Sequence, residues 1–253
     1  MRRIGIFFAV LSVLLLALPA LAQEPEGAVG RVYYLKAKAG MEQQFEAGVK
    51  KHIDWHRRQN DPWTFYWWQV ETGEQFGQYV VGTFEHRWED FDGRATLDAA
   101  DDADFAATVA PYVDSVRAIV VVGLPQLSLP PAAEGPAPLS SVITFHLNMG
   151  GQAEFPYVIG KFHQAIQKTN WPTNYLWYAL VNGGEHPTFY LVLPRNNWAG
   201  FKPPAKPFPA MLEEAYGREE AAALLKQLSK LIHCQRSEML RFRSDLSYRP
   251  AAR

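Results

Sequence analysis

One cysteine, Cys234, stands among 253 residues, so no intrachain disulfide framework can form. In the internal alignment described below its counterpart is Ser115, which points to a packed or spare thiol rather than a nucleophile. No basic run exceeds two residues, and 25 Lys and Arg balance 26 Asp and Glu. That pattern excludes a phosphate-tracking surface for nucleic acid. The chain also lacks G-x-S-x-G, H-E-x-x-H, G-x-G-x-x-G, P-loop and C-x-x-C patterns. Serine hydrolase, zincin, Rossmann dehydrogenase and dithiol redox chemistry are left without their signatures. Past the first 22 residues no stretch is apolar enough to span a bilayer.

Those 22 residues carry Arg2 and Arg3, an apolar run from Ile4 to Leu18, then Pro19 and Ala20-Leu21-Ala22 ahead of Gln23. Charge, apolar core and small-residue site in that order predict a secretory signal peptide over residues 1–22, hence an exported, periplasmic or secreted protein. The alternative, a retained anchor, needs about 20 uninterrupted apolar residues. Cleavage would leave a slightly acidic chain with no membrane partner, long enough for two domains of about 100 residues.

What the chain does have is one unit written twice. Shifting the sequence by 110 positions aligns Gly40–Phe91 with Gly150–Phe201 without a gap, and nine of the 52 pairs are identical, Trp67/Trp177 and Trp88/Trp198 among them. Ordinary composition gives about three. A shift of 119 aligns the ends, with Arg117 on Arg236 and Leu127-Ser128 on Leu246-Ser247; the nine extra residues fall in the proline-rich run after Gly200. Each copy reads as a short alternating strand, a glycine, a helix stopped at Asn60-Asp61-Pro62 or Asn170-Trp171-Pro172, two aromatic strands, a further helix and a last strand. The helices are expected near Met41–Arg58 and Asp102–Ser115, then Ala153–Lys168 and Met211–Cys234; the last strands near Arg117–Val122 and Glu238–Ser244. The order β-α-β-β-α-β is that of a ferredoxin-like unit. It gives a first repeat over 28–129, a stiff Pro-rich linker over 130–138 and a second repeat over 139–249.

In such a unit both helices cover one sheet face. Here both faces are apolar: Phe65 and Trp67 point one way, Tyr66, Trp68 and Val70 the other. The second face needs a cover, and the matching face of the other copy is the simplest. Two fused units of this kind resemble the dimeric α+β barrel superfamily. The resemblance implies an α+β fold of tandem ferredoxin-like units packed sheet to sheet as a pseudo-symmetric barrel. Similar folds include cofactor-free monooxygenases and haem-handling enzymes such as chlorite dismutases, and the fold alone does not choose among them.

The two copies differ most on their first helices. On a wheel centred on Phe45, His52 and His56 fall at about −20° and +20°, in the middle of the stripe that should pack on the sheet. The second copy places Phe162 and Ile166 there. Buried imidazoles need partners, at a cost of about 1–3 kcal/mol each without them. Hydroxyls, Gln69 or backbone carbonyls would satisfy them structurally. Alternatively the pair marks a helix-to-sheet pocket, acting as acid and base or holding a haem or a single transition metal, with His86 the nearest candidate for a third ligand. Absent that, no cofactor is expected. Arg241 and Arg243 replace Val122 and Leu124 of the first copy, and would bind an anion if their face lined the barrel. Trp55, Trp63 and Trp68 lack a tryptophan counterpart and could stack on a flat ligand. The functional expectation is an exported small-molecule-binding protein, a monomer or weak homo-oligomer. The alternatives are a cofactor-independent monooxygenase or isomerase with His52 or His56 as base, and an envelope protein without small-molecule chemistry.

Overall fold

In the computed structural model, which describes residues 28–251, the glycines and asparagines of the repeat sit where the backbone needs them; the expected signal peptide lies outside the described residues. Strand β1 (Val29–Ala37) turns at Gly40, φ 77°, into helix α1 (Glu42–Gln59), which ends at Asn60 in the left-handed conformation, φ 52°. In the second unit β5 (Leu139–Leu147) turns at Gly150, φ 91°, into α4 (Glu154–Thr169), ended by Asn170 at φ 48°. Asparagine tolerates that conformation better than other non-glycine residues, which accounts for the Asn60/Asn170 identity. The first unit continues through β2 (Tyr66–Val70), β3 (Tyr79–His86), α2 (Trp88–Gly93), α3 (Ala95–Thr108) and β4 (Val113–Gly123). The second continues through β6 (Leu176–Asn182), β7 (Thr188–Arg195), α5 (Phe208–Tyr216), α6 (Arg218–Leu231) and β8 (Ile232–Phe242).

Two expectations need correction. The second helix of each unit is a pair of helices, α5 and α6 being parted by Gly217 at φ 83°. Strands β4 and β8 also begin earlier than their apolar alternation suggests, because their first halves are exposed and polar. His233 and Cys234 therefore lie in β8 and not at a helix end.

The eight strands close into one antiparallel barrel in the order β1-β3-β2-β8-β5-β7-β6-β4. Two seams join the units, and they are equivalent. Gln69 faces Arg241 across β2 and β8, and Ala179 faces Val122 across β6 and β4. The Trp67 N–H donates to Ser247 Oγ at 2.9 Å and the Trp177 N–H donates to Ser128 Oγ at 2.9 Å. The paired tryptophans and the Leu-Ser repeats are thus the seams themselves.

Alternation sorts the strand residues as expected. Leu35, Trp67, Tyr79 and Val81 pack outward under α1 with Phe45 and Val49, and Phe145, Trp177 and Phe189 pack under α4 with Phe155 and Ile159. Val32, Val70, Val80, Ile119, Val121, Leu180 and Leu240 face inward and form a third core inside the barrel. Burying each large side chain contributes about 1.5–3 kcal/mol, so neither face can be given up. Among the described residues no helix is long and apolar enough to cross a membrane.

Candidate functional site

The inward faces of the two units do not fill the barrel. A cavity of about 610 Å³ remains, walled by Trp68, Phe84, Tyr178 and Tyr190 with Val80, Ile119 and Val142, so that both repeats contribute. Room for the Phe84 ring comes from two glycines: a Cβ on Gly30 or Gly82 would lie 2.6 Å from it. Phe84 faces inward by the same alternation as Val80, and a register shift between β1 and β3 just after it, with Glu85 at φ 66°, returns His86 to the side of Thr83. Toward one end the lining carries the phenols of Tyr34 and Tyr190, and the Arg117 guanidinium lies 4.3 Å above the Tyr34 ring. The other end is bordered by Trp63, Glu85 and His86 and roofed by linker residues Pro130 to Ala137. The linker is thus part of the cavity.

Burial disfavours charge in this interior. It raises the pKa of the Tyr34 phenol and pushes Tyr178 up to about 12. Burial likewise raises the Glu238 carboxyl and lowers the His86 imidazole. His86 is stacked on Trp63 at 3.8 Å, with Nε2 2.5 Å from Thr83 Oγ1.

His52 and His56 are elsewhere, on the outer face of the sheet between α1 and α3. Both are buried, at 7% and 3% exposure. His52 Nδ1 is 2.8 Å from Asp104 Oδ2 and its Nε2 3.0 Å from Asp101 Oδ1. His56 Nδ1 is 2.8 Å from Asp61 Oδ2, and its Nε2 lies 3.6 Å from Asp101 Oδ1. Fully buried Asp61 also accepts two hydrogen bonds from Arg94, at 2.7 and 2.5 Å, and one from the Trp63 N–H. Burial alone would raise the Asp61 pKa, but the bonds from Arg94 and His56 hold its carboxyl far below the usual range. At His52 burial acts downward and is outweighed by Asp101 and Asp104, which raise the imidazole.

The close approach of α3 depends on Gly48 of α1, where a Cβ would lie 2.2 Å from the Thr108 carbonyl oxygen. The second repeat has Val158 there. Asp61, Arg94, Asp101 and Asp104 belong to no motif in the sequence. The signal was present: Arg94, Asp98 and Asp101, spaced i, i+4, i+7, make one face of α3.

The other candidates separate. Trp68 lines the cavity and Trp63 its mouth. Trp55 packs beside His52 and His56. Arg241 and Arg243 are on the outward face, so the condition for an anion site inside the barrel is not met and neither contacts the cavity; by alternation Leu240 and Phe242 take the inward face. Arg241 pairs with Glu71 at 2.8 Å, while Arg243 pairs with Glu46 and Asp245 and also meets Gln69 Oε1 at 3.3 Å. His86 does not join His52 and His56; the third group there is Asp101, and the three ligand atoms lie within 4.8 Å of one another. A haem does not fit at this pair, because Trp55, Phe65, Phe105 and Tyr248 pack directly on the two imidazoles and leave no slot for a macrocycle.

No protein-family model matches the chain, and no curated protein matches it in sequence. Solved structures do match in fold. A presumed monooxygenase of Fusobacterium nucleatum superposes with a TM-score of 0.56 at 12% identity, over 86% of this chain and 93% of that one. A presumed monooxygenase of Lactobacillus acidophilus gives 0.54 at 10% identity, over 90% and 99%. Chlorite dismutase of Candidatus Nitrospira defluvii gives 0.51 at 8% identity, over 85% and 92%. With the strand order and the equivalent seams, these likenesses show that the chain has the dimeric α+β barrel fold.

Proposed function

We propose that this protein binds a small, flat, largely apolar molecule inside the barrel, and does so as an exported protein whose first 22 residues are removed. The observation that carries the reading is the aromatic cavity of about 610 Å³, within the span of about 300–1,000 Å³ usual for small-molecule sites. Its rings offer stacking surfaces, and its phenols offer hydrogen bonds without charge. This moves the ligand from the helix-to-sheet pocket expected around His52 and His56 to the barrel interior, with Trp68 and Trp63 retained as contacts.

A second reading makes the bound molecule a substrate. It is favoured by His86, a neutral imidazole at the cavity mouth. His52 and His56 are not placed to serve as its base, since carboxylates hold them on the far side of the sheet.

The test is fluorescence titration with the neutral probe N-phenyl-1-naphthylamine. Wild-type protein should bind one equivalent. Val142→Trp, which fills the cavity from β5, should weaken binding at least about tenfold while leaving the circular dichroism spectrum unchanged. Equal binding by both proteins, or none by the wild type, contradicts the reading. Oxygen uptake with a phenolic polycycle, lost in His86→Gln, would separate the substrate reading from simple binding.

A further inference from the structure

We propose that His52, His56 and Asp101 form a binding site for one divalent transition-metal ion that clasps α3 onto α1. One donor atom from each residue lies within 4.8 Å of the other two, and the pairs that face one another are Nε2 of each histidine and Oδ1 of Asp101. The separations of 3.0 and 3.6 Å from Oδ1 to the two Nε2 atoms match those between neighbouring donors about 2.1 Å from a shared ion. Histidines four apart on one helix face supply two such donors, and the facing helix supplies the third.

The surroundings orient both imidazoles toward Asp101. Each Nδ1 is engaged by its own carboxylate, Asp104 for His52 and Asp61 for His56. A carboxylate on Nδ1 orients the ring and makes it a better ligand; at His52, where Nε2 faces Asp101 Oδ1 at 3.0 Å, the ion takes the place of the proton between those two atoms. Charge argues the same way. Asp61, Asp98, Asp101 and Asp104 gather around Arg94, which touches three of them, with Arg31 reaching only Asp98, at 3.9 Å. A divalent cation supplies the missing positive charge.

The fold shows what the ion would do. Helix α3 has no fully buried residue, so its docking on α1 rests on the Gly48 contact, the half-buried Phe105 ring and these polar groups. In the second repeat, Phe162 and Ile166 with Met211 and Leu212 make an apolar join in the same place. The ion replaces that join. Two nitrogens and one carboxylate oxygen suit zinc, iron(II) or cobalt(II) and disfavour calcium and magnesium.

Chelator-treated full-length mature protein is titrated with Co²⁺, read by visible d–d absorption, and with Zn²⁺, read by melting temperature. One equivalent of Co²⁺ should bind in the micromolar range or tighter. Saturating Zn²⁺ should raise the melting temperature by about 5–10 °C. Asp101→Asn, on the partly exposed edge of the cluster, should weaken Co²⁺ at least about tenfold, and Asp104→Asn should weaken it about tenfold by loosening His52. His86→Gln should leave the Co²⁺ affinity within twofold. No d–d spectrum in the wild type, or a spectrum that survives in Asp101→Asn and in His52→Phe with His56→Ile, overturns the proposal. The probe titration of the barrel cavity stands apart, so failure of either leaves the other intact.

Discussion

Replacing His52 by Phe and His56 by Ile gives the first repeat the residues that the second repeat uses, and the structure says the exchange destabilises. Phe162 and Ile166 face an apolar join, whereas His52 and His56 face Asp61, Asp101 and Asp104. Losing the buried His56–Asp61 hydrogen bond costs about 2 kcal/mol, within the range for bonds to charged groups. The His52 bonds end on carboxylates that are 18% and 19% exposed, so they contribute about 1–2 kcal/mol between them. Added apolar burial returns about 1 kcal/mol. The net loss is about 2–3 kcal/mol, a drop of about 4–12 °C in melting temperature for a chain of this size. Urea unfolding in chelator, followed by tryptophan fluorescence, measures it as a shift in midpoint at constant m. A double variant as stable as the wild type, or more so, would refute the ionic account of the α1–α3 join.

Gly48→Ala should also destabilise, by about 1–3 kcal/mol, although alanine is the better helix former by about 1 kcal/mol, because its Cβ meets the Thr108 carbonyl; an unfolding titration decides the sign. Trp68→Ala should weaken the naphthylamine probe several-fold, and Arg243→Ala should leave its affinity within twofold, since only the first lines the cavity. Arg243 lowers the Glu46 carboxyl and holds Asp245 down at about 2. Both folded-state values lie below those of the unfolded chain. Their contribution is therefore complete above about pH 4.5 and is lost as the pH falls toward 2. Melting temperature against pH should fall less steeply over that range in Arg243→Ala than in the wild type.

The fold was legible because it is written in alternation and repetition. Trp67 and Trp177 match because both sit at a seam, Asn60 and Asn170 because both end a helix in the left-handed conformation. The His52/His56 asymmetry was legible too, since the second repeat shows the apolar alternative. Its partners were harder to see. Asp61 lies in a loop and Asp101 and Asp104 on a helix with little apolar patterning, and their convergence depends on one glycine. The barrel cavity was not legible. A sequence shows which residues face inward but not whether they fill the space, and the room for the Phe84 ring and the place of the linker follow from the close approach of Gly30 and Gly82 and from closure of the barrel.

The most direct test of the account is a crystal structure of the mature protein with the naphthylamine probe. One probe molecule is expected inside the barrel, stacked among Trp68, Phe84 and Tyr178 beneath linker residues Pro130 to Ala137. A probe lodged between α1 and the sheet, or a barrel whose side chains close on themselves and exclude it, would contradict it.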